Sequence, residues 1–178
     1  LQEKEVCFDT ETTSLDYFDL EIVGLSFSFK SGEGYYVPVP AERTAALEVL
    51  NHFKPFFEST NIVKIGQNVK FDWHVLKQYD IEVSLPIYDT MLAHYLLEPD
   101  MKHGMDFLSE SYLGYSPVSI ETLIGKKGKN QGTMRDVELE KIAEYAAEDA
   151  DITFQLKQVF EPSVQEREVG NVLQDIEL

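Results

Sequence analysis

The sequence predicts an α+β domain, α/β in some schemes, built on a mixed five-stranded sheet with an antiparallel meander and flanked by helices. Three observations carry this. Strand-like runs crowd the first half of the chain and helix-like runs the second. The first three strand runs follow one another, and a Gly-Glu-Gly turn joins the second to the third, as in an antiparallel meander. With 178 residues, 43% hydrophobic and 12% aromatic, the chain can build one domain with a sizeable core, which excludes a disordered or fibrous protein.

The elements follow in order. Val6-Cys7-Phe8 reads as a short buried strand running into Asp9. Ile22 to Phe29 alternates partly, as a half-buried strand does. The Gly32-Glu33-Gly34 segment reads as a turn into a strand from Tyr35 to Val39, with Pro38 and Pro40 closing the hairpin. Leu47, Leu50 and Phe53 lie at helical spacing, predicting a helix from Thr44 to about Lys54 that Pro55 ends or kinks. Ile62 to Ile65 is a fourth strand, ending at Gly66-Gln67-Asn68, and a helix from about Lys70 to Tyr79 follows. A fifth short strand ends at Tyr88-Asp89, and Thr90 to Leu97 continues as a helix. Short helices separated by Gly and Pro reach Ile124, and Gly125 to Gly132 is a basic, Gly-rich loop with neither the Lys-Ser/Thr ending nor the preceding strand of a phosphate-binding P-loop. Two helical stretches, Val137 to Ala147 and Asp149 to Phe160, are punctuated by Glu161-Pro162.

No apolar run approaches the roughly 18 residues that span a membrane. The start is not that of a signal peptide, and the missing initiator Met predicts a piece cut from a longer chain. A lone cysteine, Cys7, rules out an internal disulfide framework and fits a reducing cytoplasm. The net charge of −17, from 32 acids against 15 bases, runs against ordinary phosphate binding. Either the acids are solvated surface on a protein that never meets nucleic acid, or some of them hold divalent cations while basic surface elsewhere attracts the strand.

Three local patterns bear on that choice. Asp9 and Glu11 stand at i and i+2, on one face of a strand, where both could reach one cation. The same spacing recurs at Asp19/Glu21, Asp80/Glu82, Asp136/Glu138 and Asp175/Glu177, which read as solvated surface. Asp9/Glu11 differs in ending an apolar strand and leading into the small, polar Thr12-Thr13-Ser14. Asp72 follows the Gly66-Gln67-Asn68 turn near a helix start; it is either a cap or, if Asn68 caps, free to face a cleft. Tyr145 and Asp149 stand at i and i+4 with two alanines between, as a functional pair or as a packed Tyr beside a solvated Asp.

Taken in order, Phe-Asp-x-Glu-Thr, Asn-x-x-Phe-Asp and Tyr-Ala-Ala-x-Asp-Ala-Asp resemble the three motifs of the DEDDy exonucleases, which share a ribonuclease-H-like fold. Val23 to Phe27, Tyr36 to Val39, Asp89 to Leu92, Gly128 to Gln131 and Tyr145 to Thr153 resemble the proofreading domains of the bacterial family A polymerases, the polymerase I type. A histidine-type relative would carry His five residues before the last Asp, where this chain has Glu144.

The resemblance implies a 3′→5′ exonuclease domain over residues 1–167, with 168–178 beginning the segment that leads to a polymerase domain in the same polypeptide. It implies a single-stranded or frayed DNA 3′ end as substrate, no membrane, and a bacterial cytoplasmic setting. It implies catalytic roles for Asp9, Glu11, Asp72, Tyr145 and Asp149, the four carboxylates holding two divalent cations, Mg²⁺ with Mn²⁺ as substitute. Thr10, Leu15, Gln67 and Asn68 are the implied substrate contacts. Leu15 reads otherwise as a core leucine, and Gln67 and Asn68 as turn formers. Lys126, Lys127 and Lys129 either touch backbone phosphates or form a solvated loop. The chain departs from the family at Val118-Ser119-Ile120, where an aromatic for base stacking is expected. Trp73 reads as packing, Cys7 as inert, and the four histidines as lacking ligand spacing. A ribonuclease D-like exoribonuclease and a catalytically degenerate spacer are the rival readings.

Overall fold

A computed structural model describes residues 3–174. Five strands, β1 (Glu5–Thr12), β2 (Ile22–Lys30), β3 (Glu33–Pro38), β4 (Val63–Gly66) and β5 (Ile87–Asp89), form one sheet in the order β3-β2-β1-β4-β5. β1, β2 and β3 pair antiparallel as the expected meander, and β4 and β5 join β1 in parallel. The mixed sheet of the sequence reading is therefore present.

Strand alternation gives the sheet two different faces. Val6 and Phe8 point to the side covered by α1 (Arg43–Asn51), α2 (Lys54–Phe57) and α3 (Val69–Lys77). Phe8 is fully buried there, edge-on to Phe57 at 5.1 Å and to Phe56 at 6.3 Å. Cys7 and Ile65 point to the other side, covered by α4 (Thr90–Leu97), α5 (Met105–Leu108) and the long α7 (Leu139–Glu166). Between them lie α6 (Glu121–Ile124) and a 3₁₀ turn at Met134–Asp136; a short α8 (Gly170–Val172) follows α7.

Three elements depart from the sequence reading. The helix expected to Lys54 ends at Asn51, and Pro55 sits in the first turn of a separate α2, where its missing N–H has no intrahelical partner to lose. The two helical stretches after Val137 are one 28-residue helix that runs through Pro162. An interior proline costs about 3 kcal/mol, but Leu156, Phe160 and Val164 are buried at four-residue spacing on both sides of it, and their packing offsets the lost bond. The turn read at Gly32-Glu33-Gly34 closes earlier: Lys30 pairs with Glu33, leaving Ser31 and Gly32, the latter at φ +81°.

Gly34 is a strand residue instead, and its role is close approach. A Cβ there would lie 2.2 Å from the carbonyl oxygen of Ala147 on α7, so only glycine lets β3 seat against the helix turn between Tyr145 and Asp149. Gly34→Ala is expected to lower stability by about 1–3 kcal/mol, the scale of overpacking a filled interior. A lower urea midpoint at unchanged denaturant slope would show this; an unchanged midpoint would mean that the helix shifts freely.

Candidate active site

The parallel pairing of β1 with β4 ends at Cys7–Ile65, yet β1 continues to Thr12 with only β2 beside it. Its last residues therefore border a cleft of about 720 Å³. Asp9 and Glu11 continue the Cys7 face toward α7, and Thr10 continues the Phe8 face toward α3. One strand thus delivers functional groups to both sides of the cleft.

On the α7 side, Asp9, Glu11 and Asp149 bring carboxylate oxygens within 4.8 Å of one another. Tyr145 stands one turn before Asp149 on the same helix and lines the same cleft. Asp72 approaches from the first turn of α3 and is buried. Its Oδ1 accepts from the Thr10 amide at 3.0 Å and the Thr10 hydroxyl at 2.5 Å. Asp72 is therefore no helix cap. Asn68 occupies the N-cap position with φ +63°, but its side chain makes no capping bond.

All nine residues named from the sequence, Asp9, Thr10, Glu11, Leu15, Gln67, Asn68, Asp72, Tyr145 and Asp149, line this one cleft. Leu15 is 82% exposed at its rim, which excludes the core reading. Gln67 is engaged within the protein: its Nε2 donates to the His103 carbonyl at 2.7 Å and its Oε1 accepts from the Thr90 hydroxyl. Asn68 is exposed. Lys127 reaches the cleft lining, whereas Lys126 and Lys129 lie on the exposed loop outside it. Ile120 lines the wall where an aromatic was expected.

Phe71, Ile124, Gln131 and Met134 also line the cleft and were not assigned to it from sequence. Phe71 lies inside the Asn-x-x-Phe-Asp pattern, a signal that could have marked it; the others come from a region of weak periodicity. Asp19, Glu21, Asp80, Glu82, Asp136 and Glu138 are exposed, as expected of surface pairs. Asp175 and Glu177 lie outside the described residues. Cys7 is fully buried, and burial and the nearby carboxylates push its thiol well up, which keeps it protonated.

The electrostatics of the cluster are unbalanced. Among the described residues no ion pair involves Asp9, Glu11, Asp72 or Asp149. Burial raises Asp9 to about 7, and burial together with Asp9 raises Asp149 to about 8. Burial, then Asp9, Asp149 and Asp72, hold Glu11 well above the usual carboxylate range. Burial and Asp9 do the same to Asp72, against the lowering effect of its Thr10 bonds. Asp149 Oδ1 is buried with no hydrogen-bond partner. A buried acceptor without a donor, inside an all-oxygen donor set, fits a hard divalent cation.

The comparisons with known proteins agree with this geometry. A family model described as 3′–5′ exonuclease matches residues 1–165. The chain is 36% identical to DNA polymerase I of Borreliella burgdorferi, over 98% of this chain and 19% of that protein. It is 38% identical to DNA polymerase I of Pseudomonas aeruginosa, over 100% of this chain and 21% of that protein, so it spans about a fifth of these relatives' length. Among solved structures, Brucella melitensis NrnC with bound Mg²⁺ superposes at TM-score 0.76 with 20% identity, covering 97% of this chain and 79% of that one. The fold is accordingly the ribonuclease-H-like one.

The raised carboxylates set a pH dependence for the cation-free protein. A carboxyl group that holds its proton more tightly folded than unfolded adds stability below its ordinary range, and that stability is lost as pH rises through the folded value. In chelator the thermal midpoint is therefore expected to fall as pH rises from about 6 to about 9, through the values of Asp9 and Asp149. Asp149→Asn is expected to flatten that fall. A wild-type midpoint that climbs over the same range would contradict the assignment.

Proposed function

The chain belongs to the 3′–5′ exonuclease family, and on that premise we propose that it removes nucleotides from the 3′ end of DNA by a two-cation mechanism, releasing nucleoside 5′-monophosphates. The observation that carries this is the meeting of Asp9, Glu11 and Asp149 within 4.8 Å, with Tyr145 and Asp72 beside them, in a cleft open at Leu15.

Asp9, Glu11 and Asp149 would hold one cation, and Asp9 with Asp72 the other, Mg²⁺ being the fit for these oxygen donors and Mn²⁺ its substitute. Such a pair supplies a Lewis acid that lowers the pKa of the attacking water and stabilises charge on the leaving oxygen. The chain's own residues do the positioning. Burial, Asp149 and Glu11 hold the Tyr145 phenol above its ordinary value, so it stays protonated and donates to the attacking water rather than deprotonating it. Glu11 accepts from the same water and turns its lone pair toward phosphorus. The water oxygen bonds to phosphorus as one of its protons passes to solvent, the bond to the 3′ oxygen breaks, and that oxygen takes a proton from solvent to become the new 3′ hydroxyl.

Thr10, Leu15, Gln67 and Asn68 are the proposed substrate contacts. Leu15, at the rim, would wedge against the terminal bases, and exposed Asn68 is free to bond the strand. With Ile120 in place of an aromatic wall, base stacking on that side would be weak. Residues 1–167 would be the exonuclease domain, and 168–178 the start of the segment leading to a polymerase domain in the same polypeptide. The family match ends at 165 and α7 at Glu166, which supports that boundary. Joined to a polymerase, the activity would be proofreading, in the bacterial cytoplasm. No helix of the described residues is long and apolar enough to cross a membrane.

The test is release of label from 3′-labelled single-stranded DNA and RNA with Mg²⁺, Mn²⁺ or chelator. Wild type should release 5′-monophosphates from DNA only with a divalent cation. Asp9→Ala should lose roughly 10²–10³-fold or more of the rate, and Tyr145→Phe about 10- to 10²-fold, the scale of a misplaced reactant. Preference for RNA would point to the exoribonuclease reading, and no release by folded wild type to a degenerate spacer.

A further inference from the structure

The turn that carries Gln67 and Asn68, and leads into Asp72, is held from behind by two buried residues that do not touch the cleft. β5 is only three residues long and ends at Asp89, paired with Gly66 at the close of the ladder. The Asp89 carboxylate is 1% exposed and accepts four backbone amides. Its Oδ1 takes those of Met91 (2.9 Å) and Leu92 (3.2 Å), the cap of α4, and also that of Asn68 (3.2 Å). Its Oδ2 takes the Val69 amide, at the start of α3, at 2.8 Å. One side chain therefore caps two helices, and it replaces the cap that Asn68 does not provide. Thr90, also fully buried, directs its hydroxyl at the Gly66 carbonyl (3.1 Å) and at Gln67 Oε1.

Asn68 sits in the left-handed region at φ +63°, which asparagine adopts more readily than other residues with a side chain, and here the bonds around it select that conformation. The surroundings here are the Asp89 bonds to Asn68 and Val69 and the single Thr90 hydroxyl, shared between the Gly66 carbonyl and Gln67 Oε1. Without them the turn would relax toward ordinary backbone, carrying Asn68 away from the cleft and tilting the α3 start that presents Asp72. We propose that Asp89 and Thr90 are positioning residues, a clamp that holds the Gly66–Val69 turn in the geometry the exonuclease reaction uses. The proposal rests on the exonuclease reading for its consequence, but not for its geometry.

Asp89→Asn separates the two halves of the clamp. The amide oxygen can stand where Oδ1 stands and keep the α4 cap and the Asn68 bond, while the amide N–H group then faces the Val69 N–H, donor against donor, and breaks the tie to the α3 start. At a temperature where both proteins are fully folded, Asp89→Asn is expected to lose roughly 10²-fold in kcat/KM on single-stranded DNA, the cost of a misplaced site. Amide hydrogen exchange, read by NMR, should quicken at Val69, which loses its acceptor, and stay slow at Met91 and Leu92, which keep theirs. Glu42→Gln is the control: it weakens a carboxylate cap of the same kind, to Thr44 and Ala45 of α1, away from the cleft, and should leave kcat/KM unchanged. If Asp89→Asn does not fold, Thr90→Val against Thr90→Ser decides, because serine keeps the hydroxyl and valine does not. A folded Asp89→Asn with wild-type kcat/KM would overturn the clamp, as would equal activity of the two Thr90 variants. So would exchange at Val69 that stays as slow as at Met91 and Leu92. Absence of nuclease activity in wild type would sink the proposed function alone, and the exchange measurement would still decide the clamp.

Discussion

Four carboxylates converge on the open end of one strand, none of them in an ion pair among the described residues, and much of the fold can be understood as holding that repulsion in place. Like charges in a poorly solvated site separate or take up protons unless their backbones are fixed. Here they are fixed from three directions: by β1, which is paired on its β2 side to its end; by α7, a 28-residue helix whose far half is anchored through Leu156, Phe160 and Val164; and by α3, tethered through Asp72 to Thr10. The arrangement stores an affinity for divalent cations in the form of electrostatic cost.

β1 makes this economical because a strand alternates. Val6 and Phe8 anchor it in one half of the core and Cys7 in the other, so the same two-residue period that fixes the strand also aims Asp9 and Glu11 at α7 and Thr10 at α3. A slip of one residue would exchange the two sets and dismantle the core and the site together. The close approach of β3 at Gly34 extends the same logic, since it sets how near the Tyr145–Asp149 turn can come to the sheet.

The net charge of −17 looks different once the fold is known. The repeated Asp-x-Glu pairs within the described residues are exposed, so most of the excess is solvated surface, and only four acids form the cluster. Of the three loop lysines, one reaches the cleft. In the proposed reaction, cations bound at the carboxylates would supply positive charge where a phosphate sits, against a surface whose net charge is negative.

Much of this was legible in the sequence. The two-residue period of Asp9 and Glu11, the four-residue period of Tyr145 and Asp149, and the strand-ending turn at Gly66 are local facts, because backbone geometry dictates which side chains share a face. Their order along the chain then identified the family. What the chain alone left open were questions of contact between distant segments. Asp72 could have been a cap, and only the approach of Thr10, 62 residues away, excludes it. Gly34 read as a turn until α7 was seen against it, Pro162 as a break until the packing on both sides outweighed its missing bond, and Asp89 as the end of a strand until four amides from two helices met its carboxylate. Local propensity reports what a segment prefers in isolation, whereas these outcomes depend on the burial and hydrogen bonds that only the assembled chain supplies.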